Sequence, residues 1–144
     1  MFSLKSIIIL LVFILALHFA ATMDHWYWTY SWFDIPMHFL GGFWVAMVFL
    51  WLNLKFKILS DSLILQLPYY LITALITLSF VALIGVFWEF FEFLYDVFIS
   101  SRGYSGFMQL GAADMIGDLF FDLFGASAFL IIYRIFNRRQ FNYK

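Results

Sequence analysis

Residues 68–91 read PYYLITALITLSFVALIGVFWEFF, a run of apolar and aromatic side chains broken by a single carboxylate, Glu89. A stretch of this length and character reads as a helix that crosses a bilayer, because about 20 residues at about 1.5 Å each span the hydrocarbon layer. On either side the pattern repeats. Residues 112–136 form a second such run, residues 34–52 a third with Pro36 in its first turn, and residues 6–23 a fourth interrupted only by His18. The fold class is therefore all-α: an integral membrane bundle of about four transmembrane helices, forming a single transmembrane domain over residues 1–144. Composition agrees, with 65% hydrophobic, 24% aromatic and 12% charged residues and a mean hydropathy of +0.94. The first run exceeds the roughly 7 to 15 apolar residues of a signal peptide core, so it reads as a retained helix.

Orientation follows from the basic residues, since lysine- and arginine-rich loops stay in the cytoplasm. If the N-terminus is inside, Lys5, Lys55, Lys57, Arg134, Arg138, Arg139 and Lys144 all face the cytoplasm, and Arg102 alone lies outside. Both termini are then cytoplasmic. The cluster from Trp26 to Phe33 has the tryptophans and tyrosines of an interfacial connector at the headgroup level. A formal net charge of -1 and the lack of a basic face give no reason to expect nucleic acid. There is no cysteine, which excludes thiolate ligands and thiol catalysis, and no motif for a nucleotide cofactor.

The acids fall on the same map. Of the nine, only Asp61 belongs to the cytoplasmic side. Asp34 opens the second span, Glu89, Glu92 and Asp96 close the third, and Asp114, Asp118 and Asp122 occupy the outer half of the fourth. Asp34 and His38 are four residues apart. Glu89 and Glu92 are three apart, and Asp114, Asp118 and Asp122 step by four, so each helix carries one polar stripe. An ionised acid deep in a membrane helix costs on the order of 3 kcal/mol unless it is paired, protonated or bound to a cation. Few basic side chains are on hand to neutralise this cluster.

The candidate ligands are thus Asp34, His38, Glu89, Glu92, Asp114 and Asp118. Hard oxygen donors favour Mg²⁺, Mn²⁺ or Ca²⁺, and His38 admits Zn²⁺ or Fe²⁺. Asp34 and Asp114 also suit helix caps, Asp96 reads as a solvated interfacial residue, and His18 and His25 as structural. Gly41, Gly42, Gly85, Gly117 and Gly125 suit close helix approach.

The pattern Phe33-Asp34-x-x-x-His38-Phe39-x-x-Gly42, Glu89-x-x-Glu92 and Asp114-x-x-x-Asp118 with Gly125-Ala126 resembles that of the YjdF-like inner-membrane proteins and, more distantly, the VanZ-like family. The resemblance covers about residues 34–128. It implies a multi-helix protein of the bacterial plasma (inner) membrane with a shared polar site, without naming a reaction. Glu92 stands where the VanZ-like pattern usually has glutamine.

Three function classes use these residues differently. In an enzyme, bound metal would polarise a phosphoryl or carbonyl oxygen of a lipid headgroup or lipid-linked precursor, with Glu89 as the catalytic base. In a proton or cation translocator the acids would exchange their ions along a path, for which the inner half offers little beyond Asn53 and Gln66. In a structural or accessory membrane protein the site would only stabilise the bundle. Membrane lipids are the expected partners in each case.

Overall fold

A computed structural model describes residues 2–59 and 68–137. The chain folds into α1 (Leu4–Met23), a single turn α2 (Trp26–Thr29), α3 (Asp34–Phe56), α4 (Tyr69–Phe98), a 3₁₀ turn (Ser100–Arg102) and α5 (Ala112–Phe136). Among the described residues there is no strand, and α1, α3, α4 and α5 are each long and apolar enough to cross a membrane. Asp61, Gln66, Arg138, Arg139 and Lys144 lie outside the described residues.

Local chemistry sets the helix limits. The α1 helix starts two residues before the apolar run because Ser3 and Ser6 form a capping box, each side chain bonding the other's backbone amide. The α3 helix runs four residues past Leu52 and stops where Lys57 takes a left-handed conformation at φ 50°. Pro68 caps α4, whose first turn tolerates the missing N–H. Beyond Phe91, α4 continues as a helix to Phe98. Nothing between Glu92 and Phe98 breaks a helix, and its acids point back to the bundle.

The α3 and α5 helices form the principal pair, α4 packs across both, and α1 lies along α3. Two glycines set the closeness of the α3–α5 crossing. A Cβ on Gly42 would collide with the backbone carbonyl of Asp122, and one on Gly125 would collide with the carbonyl of Phe39. Small residues that let backbones touch are what lipid-embedded helices need, since exclusion of water supplies no drive between them. Gly117 takes no part in such an approach, because its Cβ would meet open space.

Below this crossing the interior is apolar: Ile7, Ala46, Met47, Leu50, Val81, Ala126, Phe129 and Tyr133 form one cluster. A smaller cluster of Ala21, Phe33 and Met37, with Trp26 and Tyr27 packed against it, joins the α1–α3 connection to the bundle. Lipid-facing positions carry exposed aromatic and aliphatic side chains such as Phe19, Phe87, Phe120 and Ile131.

Candidate functional site

Three helices bring their polar stripes to one place above the Gly42 crossing. From α3, the imidazole of His38 is buried with Nε2 3.6 Å from Asp34 Oδ1 and 3.7 Å from Asp118 Oδ1 of α5. Its other nitrogen, Nδ1, lies 3.4 Å from Asp122 Oδ1. One carboxylate thus holds the back of the ring while two face its front. These three contacts are the ion pairs among the described residues; Arg102 is exposed and joins none of them. Asp122 is seated by glycines, since a Cβ on Gly85 would stand 2.7 Å from its Oδ2.

From α4, Glu89 and Glu92 meet the same Asp118. One donor atom from each of Asp34, His38 and Asp118 lies within 4.8 Å of the other two, and the same holds for Glu89, Glu92 and Asp118. Two ligands each about 2.0–2.6 Å from a common ion stand roughly 3 to 5 Å apart, so both triplets have the spacing of a coordination shell. Glu89 and Asp118 are each only 4% exposed, yet Glu89 Oε1 and Asp118 Oδ2 have no hydrogen-bond partner. Buried oxygens without a partner are rare and costly in folded proteins. Two of the other oxygens are occupied: Trp88 Nε1 donates to Glu92 Oε1 at 2.9 Å, and Gln109 Nε2 donates to Glu89 Oε2 at 3.0 Å.

Two sequence expectations change here. Asp96, expected to be solvated, is 8% exposed and ties down the loop between α4 and α5. It accepts from Ser100 Oγ at 2.8 Å and from the amides of Met108 and Gln109 at 2.9 and 3.0 Å. The loop is also held from the α2 side, where Trp28 Nε1 donates to the Phe107 carbonyl at 3.1 Å and the indole packs on Gly106. Pinned in this way, the loop delivers Gln109 to Glu89. Asp114 belongs to neither triplet. It is half-buried and reaches back past the start of its own helix, with Oδ2 accepting from the Leu110 amide at 2.9 Å. Asp34, by contrast, makes no cap bond at the start of α3 and faces His38 instead.

Tyr27 closes the α2 side. Its hydroxyl and His18 Nδ1 are 2.7 Å apart. Burial, reinforced by the nearby charges of Asp34 and Glu92, pushes the Tyr27 phenol well above its ordinary range. It therefore stays protonated, and the direction of the bond follows the tautomer of His18. His25, in a left-handed conformation at φ 59°, turns its Nδ1 to the Met23 carbonyl at 3.1 Å.

Asp122, Gln109 and Trp88 were not among the ligands expected from the sequence. Asp122 was visible as the third step of the α5 stripe. Gln109 and Trp88 carry no spacing signal that would single them out.

The family model described as "Predicted membrane protein (DUF2238)" matches residues 2–139. The chain belongs to the DUF2238 family. The YjdF-like proteins, whose pattern the Asp34, Glu89 and Asp118 motifs resemble, are this same family. Like the DUF2238 description, the four long apolar helices mark an integral membrane protein. No curated protein and no solved structure matches the chain.

Proposed function

We propose that this DUF2238 protein binds a divalent cation on Asp34, His38 and Asp118 and uses it for hydrolysis or transfer on a lipid headgroup or lipid-linked precursor. The observation that carries the reading is the environment of His38. Its Nδ1 faces the Asp122 carboxylate while Nε2 is turned toward two further carboxylates. That is the arrangement by which a carboxylate fixes the tautomer of a metal-ligating histidine and leaves the opposite nitrogen to the metal. A bound cation also offsets carboxylates that no lysine or arginine reaches among the described residues.

The chemistry suits an ion that polarises a phosphoryl or carbonyl oxygen, with the Glu89 carboxylate acting on water. Mg²⁺, Mn²⁺, Ca²⁺ and Zn²⁺ are all compatible with the donors. We place the site at the outer leaflet of a bacterial plasma membrane, with both termini in the cytoplasm. Lys55 and Arg134 support this orientation: they sit at the opposite end of the bundle, stacked on Trp51 at 4.7 Å and Tyr70 at 4.0 Å. A more distant resemblance to VanZ-like proteins is carried by the short motifs from Asp34 to Ala126.

The test uses detergent-purified full-length protein, stripped with chelator and reloaded with Mn²⁺, incubated with phospholipids and a lipid-linked precursor and followed by mass spectrometry. Metal-dependent turnover that is lost in Asp118→Asn is the expected result. Bound metal with no turnover of either lipid would leave an accessory protein stabilised by its ion. A chain that takes up no Mn²⁺ would end the metal reading altogether.

A further inference from the structure

We propose that the site holds two cations bridged by Asp118, the second on Glu89 and Glu92; this rests on the metal reading above and extends it from one ion to a pair. Asp118 belongs to both donor triplets, one completed by Asp34 and His38 and the other by Glu89 and Glu92. Its two oxygens differ. Oδ1 stands 3.7 Å from His38 Nε2, on the side of the first ion, whereas Oδ2 is buried and has no partner. Glu89 is divided in the same way, with Oε2 held by Gln109 at 3.0 Å and Oε1 buried without a partner. Glu89 and Asp118, on two helices and each 4% exposed, each carry one orphaned oxygen, and both residues belong to the Glu89, Glu92 and Asp118 triplet. An ion there would satisfy both at once.

Charge supports the same count. Asp34, Glu89, Glu92, Asp118 and Asp122 are five acids with His38 as their one ion-pair partner among the described residues. If His38 is a neutral ligand, a single divalent ion leaves a formal charge of about three uncompensated in a lipid-surrounded pocket, and a second reduces it to about one. Two ions about 3.5–4 Å apart clamp the attacking and leaving oxygens of a phosphoryl group. A phosphate ester is accordingly the substrate class this pair fits, and Glu89 would activate water through the ion it holds.

The experiment is Mn²⁺ binding to the detergent-solubilised full chain, counted by equilibrium dialysis and read by electron paramagnetic resonance. Wild type should bind two Mn²⁺ per chain with an exchange-coupled signal at saturation. Glu92→Gln and, separately, Asp34→Asn should each bind one, with the signal of an isolated ion, because each variant empties a different triplet. Circular dichroism identifies a variant that does not fold, and either one alone suffices. One ion in wild type, with the isolated signal and a count unchanged by Glu92→Gln, would overturn the pair and leave the single-metal reading standing. No bound Mn²⁺ in wild type would overturn both.

Discussion

The two halves of the bundle on either side of the Gly42 crossing are made of the same helices and opposite chemistry. In the half below it, α1, α3, α4 and α5 meet through Ile7, Leu50, Val81 and Phe129, and of the buried polar groups only the neutral hydroxyl of Thr73 lacks a partner among the described residues. Thr77 donates to the Thr73 carbonyl at 2.6 Å, and Asn53 bonds both the Tyr69 hydroxyl at 3.1 Å and the Leu59 amide at 2.9 Å. In the half above it, carboxylates from three helices face one another, and two of their oxygens are left bare. Buried polar groups that are satisfied within the protein serve the fold, whereas buried charges that are not satisfied call for a ligand. The half below the crossing reads as scaffold and the half above it as site, and the difference rests on what is left unpaired: one neutral hydroxyl in the first, two carboxylate oxygens in the second.

Substitutions should therefore separate along this line. The largest expected effect is on Asp118→Asn, which alters the one residue shared by both triplets. Mn²⁺ affinity should fall by more than about 100-fold, above the range typical of a supporting residue, while helicity is retained. Competition with a fluorescent chelator measures it. Leu50→Ala should do the reverse. Leu50 is 1% exposed in the inner cluster, and its truncation opens a cavity among helices. Lipid makes the transfer part of the cost small, so about 2 kcal/mol is expected, at the low end of the range for such truncations. Denaturant unfolding in mixed micelles should show this loss, with Mn²⁺ affinity unchanged. Equal damage to metal binding would break the division between scaffold and site.

Asp122→Asn leaves the ligands in place and weakens the support of the His38 ring. It should lower Mn²⁺ affinity by about 10- to 100-fold, the usual effect of losing a histidine's carboxylate partner. The smallest effect belongs to Gln109→Leu, which frees Glu89 Oε2 but removes no ligand. A change of a few-fold, on the order of one lost hydrogen bond to a charged group, is expected in the same competition assay.

How far the sequence reaches into this comparison depends on the kind of contact. The four helices follow from apolar runs whose lengths match a bilayer, and the stripes of α3, α4 and α5 follow from spacings of three and four. Asp34, His38, Glu89, Glu92 and Asp118 could be gathered on that basis alone, because residues on one face of each span must find a common interior. Asp114 has the same spacing but sits at the start of its helix, where the free amide of Leu110 is the nearer partner. Spacing cannot separate a residue that braces the preceding loop from a ligand there. Asp96 was misjudged because its partners are backbone amides of a loop, and no periodicity foretells a loop's path. Gln109 became part of the site only through that loop. Asp122 lay on the right stripe, but its place behind the His38 ring depends on how closely α3 and α5 cross at Gly42 and Gly125, which is a property of the packed bundle.

The claim on which the rest depends is that the outer end of the bundle is a cation site. Its most direct test is the thermal unfolding of wild type and Asp118→Asn in detergent, each with excess EDTA and with Mn²⁺. A ligand at about 100 times its Kd adds about 2.7 kcal/mol to the stability of the form it binds, so wild type should melt several degrees higher with Mn²⁺ and Asp118→Asn should not respond. Identical melting of wild type in both conditions, or an equal rise in the variant, would contradict the account.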